Sequence, residues 1–342
     1  MKTKLRKTYN LAVRLFIFVF AAYFLYDQIF RKNDILSLLD DYKSHLDNHR
    51  FLFNLFLVLV LSVVNLSIET EKWRFLISKL ERVSFINAFK AVLTGISVSM
   101  FLPNRTGDYL GRVFILKKAD RLQATLSTIL GSFAQLITTI LFGMVAMTGL
   151  YPYYFNLDEN LYLWGFIGLI ISVLILSFLI VFAYVEFYTF TDILKKITGK
   201  EYKRIKKYAQ VFSWYKTRDL FRVLLLSMVR YIVFSFQFYL LIRSFGIEIN
   251  YFHAMLLIGM IYLVMTIIPT IALSEIGVRG SVSIYIFKWW LEMHGKWTGD
   301  AAMQVLTASV SLWFFNIALP ALVGTVFIFS LRFFRKDNTA VS

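Results

Sequence analysis

The sequence predicts an all-α, polytopic integral membrane protein with about six full spans plus two opposed re-entrant helical hairpins in an inverted repeat. Three observations carry that prediction. The apolar set makes up 58% of the 342 residues and the charged set only 17%, against about 25% charged in soluble proteins. Apolar stretches near spanning length recur along the chain. Two further apolar stretches break at a proline and restart behind a matched acid and arginine. A water-soluble globule of this size cannot hide so much apolar surface, so a bilayer is the solvent that fits.

The elements follow in order, judged against about 20 residues per crossing. The stretch at 11–30 is a span and not a cleaved signal, because it carries Tyr23, Tyr26 and Phe30 to its end and lacks a small-residue cleavage site. A second span is expected at 51–68. The stretch 85–102 then breaks at Pro103 and continues to about 118, the first hairpin. Spans at 124–150 and 161–185 come next, followed by a basic connection, 186–219, and a span at 220–242. The stretch 253–273 breaks at Pro269 and continues to about 290, the second hairpin, before a last span at 303–331. The whole chain, 1–342, reads as a single transmembrane domain whose halves, 1–150 and 161–342, are the two repeats.

Lys and Arg assign the sides. The N-terminus, the connections 69–90, 117–121 and 186–219 and the C-terminus together hold 24 of them, whereas 31–50, 151–160, 243–252 and 288–302 hold 7. The positive-inside rule places both termini in the cytoplasm. It also requires each interrupted segment to enter and leave on one side, the first from the cytoplasmic face and the second from the outer face. The run Lys195 to Lys207 suits an interfacial helix against anionic headgroups.

The two interruptions share a signature. The first reads Pro103-Asn104-Arg105-Thr-Gly107-Asp108-Tyr-Leu-Gly111-Arg112; the second reads Pro269-Thr-Ile-Ala-Leu-Ser274-Glu275-Ile-Gly277-Val-Arg279. Asp108 and Glu275, like Arg112 and Arg279, are 167 residues apart. Proline stops a helix, and glycine lets the chain reverse or approach a ligand. Broken apolar segments at corresponding positions of two halves point to a transporter's binding site, and non-helical backbone at depth implies a cavity. One Asp or Glu four residues before an Arg is commonly a plain helical pair. Two such pairs in broken apolar segments are a stronger signal, since an arginine in hydrocarbon costs about 2.5–3.5 kcal/mol even on the lenient insertion scale. The candidate substrate-binding residues are therefore Arg105, Asp108, Arg112, Glu275 and Arg279. Arg230, well inside the 220–242 span, is either a further cavity arginine or the partner of a buried acid. Gln135, Gln237 and Asn316 read as interhelical hydrogen-bond residues, and Arg14 and Arg222 as snorkelling side chains near span ends.

Much is excluded. Zero cysteines remove thiolate chemistry and disulfides, and four scattered histidines give no metal spacing. No phosphate loop or nucleophile elbow occurs, so no cofactor and no enzymatic activity are expected. The net charge of +16 lines membrane edges, which disfavours nucleic acid.

Trp73-Arg74, the Pro-Asn-Arg-Thr-Gly-Asp-x-x-x-Arg run and Glu-x-Gly-x-Arg together resemble the lysylphosphatidylglycerol synthase transmembrane, flippase-like family. The resemblance covers nearly the whole chain. It implies a membrane domain that moves aminoacylated phospholipid, or related lipid-linked molecules, between leaflets through a cavity formed by two re-entrant segments. The family pattern usually has Glu where this chain has Asp108. With about ten residues after the last span, the fused cytoplasmic aminoacyl-transferase domain of the namesake proteins is expected to be absent.

The function expected is translocation of an anionic or aminoacylated phospholipid, or related lipid-linked molecule, across a bacterial-type inner membrane, with arginines holding the headgroup phosphate. The alternative is a membrane enzyme, or an accessory subunit, acting on a lipid-linked sugar or phosphate. Compatible partners are the phospholipid itself, a separately encoded synthase or glycosyltransferase, and a second copy of the chain in a homodimer.

Overall fold

The computed structural model describes residues 42–100, 107–154, 159–186, 210–268 and 272–327. The predicted span 11–30, Pro103, Asn104, Arg105, Pro269 and the basic run 195–207 lie outside the described residues. Within them the chain is all helix, without a strand: α1 His49–Ile77, α2 Phe85–Ser99, α3 Gly107–Val113, α4 Arg121–Tyr154, α5 Glu159–Val185, α6 Thr217–Ser244, α7 Tyr251–Ile267, α8 Ala272–Met293 and α9 Ala301–Phe327. Five of these, α1, α4, α5, α6 and α9, are long and apolar enough to cross a membrane. The protein is a multi-pass membrane protein.

Local chemistry sets the helix ends. Asn48 caps α1 by accepting from Arg50 N at 2.9 Å, Ser84 caps α2 and Asn250 caps α7 in the same way. Asp219 accepts from Lys216 N at 3.2 Å at the start of α6. Gly246 (φ +94°) and Gly295 (φ +65°) take the left-handed turns that end α6 and α8. One boundary departs from expectation. Hydropathy ends the second span at residue 68, but α1 runs on to Ile77, because Trp73, Leu76 and Ile77 are buried and hold the last two turns in the bundle.

Helix α6 lies at the centre, packed on α1, α4, α7 and α9. Gln237 on α6 donates to Val58 O at 2.9 Å and Ser62 Oγ at 2.8 Å on α1. Asn65 on α1 donates to Asn316 Oδ1 at 2.9 Å. Asn316 sits in a single π-helical turn, Phe314–Ala318, inside α9. Such bonds join helices in a solvent where apolar contact alone gives little discrimination. By contrast α5 is peripheral, with apolar side chains exposed all round.

The helix starts fall in two parallel series. Those of α1, α2 and α3 (49, 85, 107) precede those of α6, α7 and α8 (217, 251, 272) by 168, 166 and 165 residues. Helices α2 and α3 fold back on each other. A Cβ on Gly111 would stand 2.6 Å from Gly95 Cα, and one on Gly107 would stand 2.4 Å from Val98 O, so only glycine permits this approach. Both outer ends of that pair lie at one end of the bundle. There the Glu81 carboxylate accepts from Lys117 N, Lys118 N and Ala119 N at 3.1, 2.7 and 2.9 Å. Lys79 pairs with Asp219 at 3.0 Å, and Tyr215 OH bonds Leu76 O at 2.8 Å, at the same end. Burial pushes the Tyr215 hydroxyl up to about 12.

Helices α7 and α8 also fold back, with both outer ends at the opposite end of the bundle. His253, at the start of α7, lies 4.7 Å from the Trp290 ring near the end of α8, and Tyr153 at the end of α4 bonds His253 at 3.2 Å. The second pair is unequal to the first. At 22 residues α8 is three times the length of α3 (7 residues), because Phe287, Trp290 and Leu291 continue its buried face into the main core. One apolar cluster on α9 receives residues from both pairs. Met100 at the end of α2 and Ile276 at the start of α8 share one apolar cluster with Trp313, Ile317, Ala318 and Ala321 of α9.

Candidate functional site

Two charged centres lie inside the bundle. The first is built around Glu69 on α1. Its Oε1 accepts from Arg112 Nη1 at 2.7 Å, and its Oε2 pairs with Lys72 Nζ at 2.8 Å and Arg230 Nη1 at 3.2 Å. Arg112 also grips Asp108 through both oxygens, Nε to Oδ1 at 2.7 Å and Nη2 to Oδ2 at 2.5 Å. Asp108 and Arg112 occupy the first and last turns of the short α3, four residues apart, so both meet α2 where Gly95 leaves room. Arg230, midway along α6, completes the set by donating to Gln135 Oε1 on α4 at 3.1 Å. Lys72 and Arg112 are buried to 2% and 4% exposure, whereas the Arg230 side chain keeps 27%.

The second centre is built around Arg279 on α8. Arg279 Nη2 pairs with Glu275 Oε1, one turn earlier, and the guanidinium stands over the Phe234 ring of α6, 5.8 Å from its centroid. Nε and Nη1, with three N–H donors between them, have no hydrogen-bond partner among the described residues. Neither does Ser283 Oγ, one turn beyond Arg279 on α8, nor Tyr262 OH on α7. Tyr262 touches the same Phe234 ring, with centroids 5.4 Å apart. Arg279, Ser283 and Tyr262 are all buried. Buried donors without partners are rare, because each costs about 1–3 kcal/mol of desolvation, more for a charged group.

Helix α6 connects the two centres. Arg230 belongs to the first and Phe234 to the second, and one helical turn separates them, a rise of about 6 Å along one face.

The family model for the lysylphosphatidylglycerol synthase TM region matches residues 11–290. The chain belongs to that family. No curated protein and no solved structure matches it. In this lysylphosphatidylglycerol synthase transmembrane-region chain the matched stretch contains every charged residue of both centres, while α9, with Trp313 and Asn316, lies beyond it.

The predicted site residues separate by chemistry. Arg112 is saturated by two carboxylates and acts as a clamp between α1 and α3. Arg230 is tied to Glu69 but its buried Nε has no hydrogen-bond partner among the described residues, and Arg279 has two such buried nitrogens, Nε and Nη1. Arg105 lies outside the described residues, as do Pro103, Asn104 and Pro269. Gly107 and Gly111 sit in the tight α2–α3 contact, whereas Gly277 faces open space and a side chain there would meet nothing within 4 Å. Ser274 lies in the first turn of α8. Gln135, Gln237 and Asn316 all bond between helices. Arg222 leans on Phe75 near the start of α6. Glu69, Lys72 and Gly95 were not anticipated. Glu69 and Lys72 fall where hydropathy ends a span; the pointer to them is the uninterrupted helical pattern through buried Trp73. Among the described residues, no group of three His, Asp or Glu could hold a metal.

Proposed function

We propose that the protein translocates a phospholipid, or related lipid-linked molecule, whose headgroup phosphate is taken by the open donors of Arg279 while its tails remain in lipid. The observation that supports this reading most is the buried Arg279, with Tyr262 and Ser283 beside it, three unsatisfied donor groups converging between α6, α7 and α8. Charge-assisted N–H···O bonds to phosphate are the strongest way to satisfy a guanidinium in low dielectric. On this account Glu275 and Phe234 orient Arg279, and the Glu69 cluster holds α1, α3 and α6 in register. The α2–α3 and α7–α8 pairs are re-entrant hairpins of an inverted repeat, opening to opposite leaflets, and alternating exposure lets a headgroup cross. The Lys and Arg asymmetry supports an inner-membrane location with both termini cytoplasmic.

The test is transfer of labelled anionic and aminoacylated phospholipid in proteoliposomes containing the full chain. Arg279→Gln lowers the rate at least about tenfold, the scale of one lost charged hydrogen bond, and the lipid is recovered chemically unchanged. Equal rates for Arg279→Gln and the native chain would refute the assignment; covalently altered lipid would favour an enzyme.

A further inference from the structure

The two centres together hold an unbalanced charge. Lys72, Arg112, Arg230 and Arg279 face Glu69, Asp108 and Glu275, four cations against three anions among the described residues. Three other described carboxylates are engaged elsewhere in the protein. Glu71 pairs with Arg74 at the surface, Glu81 holds the 117–119 backbone and Asp219 pairs with Lys79. The carboxylates inside are already engaged. Glu69 meets three cations, Asp108 spends both oxygens on Arg112, and Glu275 meets Arg279. Glu69 Oε2 is held by its ion pairs to Lys72 and Arg230, and the other open groups of the two centres all carry donors: Arg279 Nε and Nη1, Arg230 Nε, and the hydroxyls of Tyr262 and Ser283.

We infer that the site selects a headgroup of net negative charge, a phosphate ester with neutral polar substituents, and rejects one made cationic by an aminoacyl group. This rests on the translocation reading above and narrows its substrate class. A cationic amine entering this interior finds no carboxylate free to receive it and meets an excess positive charge, which acts at short range in a medium that screens poorly. A phosphate finds open donors and cancels the excess. Rejection of the wrong partner by an unpaired like charge is a usual source of discrimination.

The test uses proteoliposomes of the full chain and three probe lipids labelled on the acyl chain: phosphatidylglycerol, phosphatidylethanolamine and lysylphosphatidylglycerol. Phosphatidylglycerol transfers at least about tenfold faster than lysylphosphatidylglycerol, with the zwitterion between them, as an unfavourable like charge at close range requires. Arg230→Gln and Lys72→Gln each remove the excess charge and shrink that ratio to below about threefold, a readout that a purely structural role would leave unmoved. Soluble glycerol phosphate as competitor separates the sources. If it slows transfer, the phosphate ester alone is recognised; if it does not, the ester is taken only with its tails, and the charge selection stands in both cases. Transfer of lysylphosphatidylglycerol as fast as phosphatidylglycerol overturns the inference and leaves translocation intact. Transfer of none of the three overturns translocation, and preferential retention of phosphatidylglycerol or lysylphosphatidylglycerol on the purified protein then decides the selection.

Discussion

Replacing Glu69 by glutamine puts the interior charge cluster under the most severe single strain. The carboxylate meets Arg112 at 2.7 Å, Lys72 at 2.8 Å and Arg230 at 3.2 Å. Glutamine preserves the shape and one carbonyl acceptor but leaves three cations with Asp108 as the one anion paired to any of them among the described residues. The side chains of Glu69 and Lys72 are 10% and 2% exposed, so the buried regime applies and the weak surface-pair regime does not. Removing one partner of a buried ion pair costs about 3–5 kcal/mol, because the remaining charges stay desolvated. The assay is thermal or denaturant unfolding in detergent, read by loss of the monodisperse species. Adding Lys72→Met to Glu69→Gln deletes one surplus cation while keeping its apolar stem volume. It recovers at least about half of the lost stability, a coupling that a double-mutant cycle isolates. A Glu69→Gln protein within about 0.5 kcal/mol of the native chain, the scatter of ordinary surface substitutions, would refute the account of Glu69 as the hub.

Other expectations follow from packing and titration. Gly95→Ala places a Cβ 2.3 Å from Asp108 Oδ1 and 2.9 Å from Arg112 Cγ, so it forces α2 from α3 and costs about 1–3 kcal/mol in the same unfolding assay. Gly277→Ala, with nothing within 4 Å, instead stabilises by up to about 1 kcal/mol through helix propensity. For Tyr215, the hydroxyl titrates near 10 when unfolded and near 12 when folded, so the unfolded chain releases its proton first. Stability therefore falls as pH rises from about 10 to about 12, and Tyr215→Phe removes that share of the slope while losing about 1 kcal/mol at neutral pH.

The membrane fold was legible because hydropathy over some twenty residues is a strong signal, and five of the predicted stretches correspond to long apolar helices. The pairs Asp108–Arg112 and Glu275–Arg279 were legible because four residues on a helix place side chains on one face. Long-range partners were not. Glu69 and Arg112 are 43 residues apart and Arg230 comes from the other half of the chain, so no local pattern announces their meeting. Hydropathy also ends a span at the first charge, which assigned Glu69 and Lys72 to a connection. The helix continues because Trp73 and Ile77 are buried and Glu69 and Lys72 pair with each other inside the bundle. The difference between Arg112 and Arg279 was equally invisible. Sequence gives each a carboxylate four residues back; only packing supplies Arg112 with a second carboxylate and leaves Arg279 with open donors.

The chain has no native cysteine, so a single Ser283→Cys substitution reports on the Arg279 centre alone. The measurement is its rate of modification in membranes by small anionic and cationic methanethiosulfonates, each normalised to a free thiol. A positively charged chamber that opens during the transport cycle predicts modification faster by the anionic reagent, and slower when phosphatidylglycerol is supplied. No modification by either reagent, or faster modification by the cationic one, would contradict it.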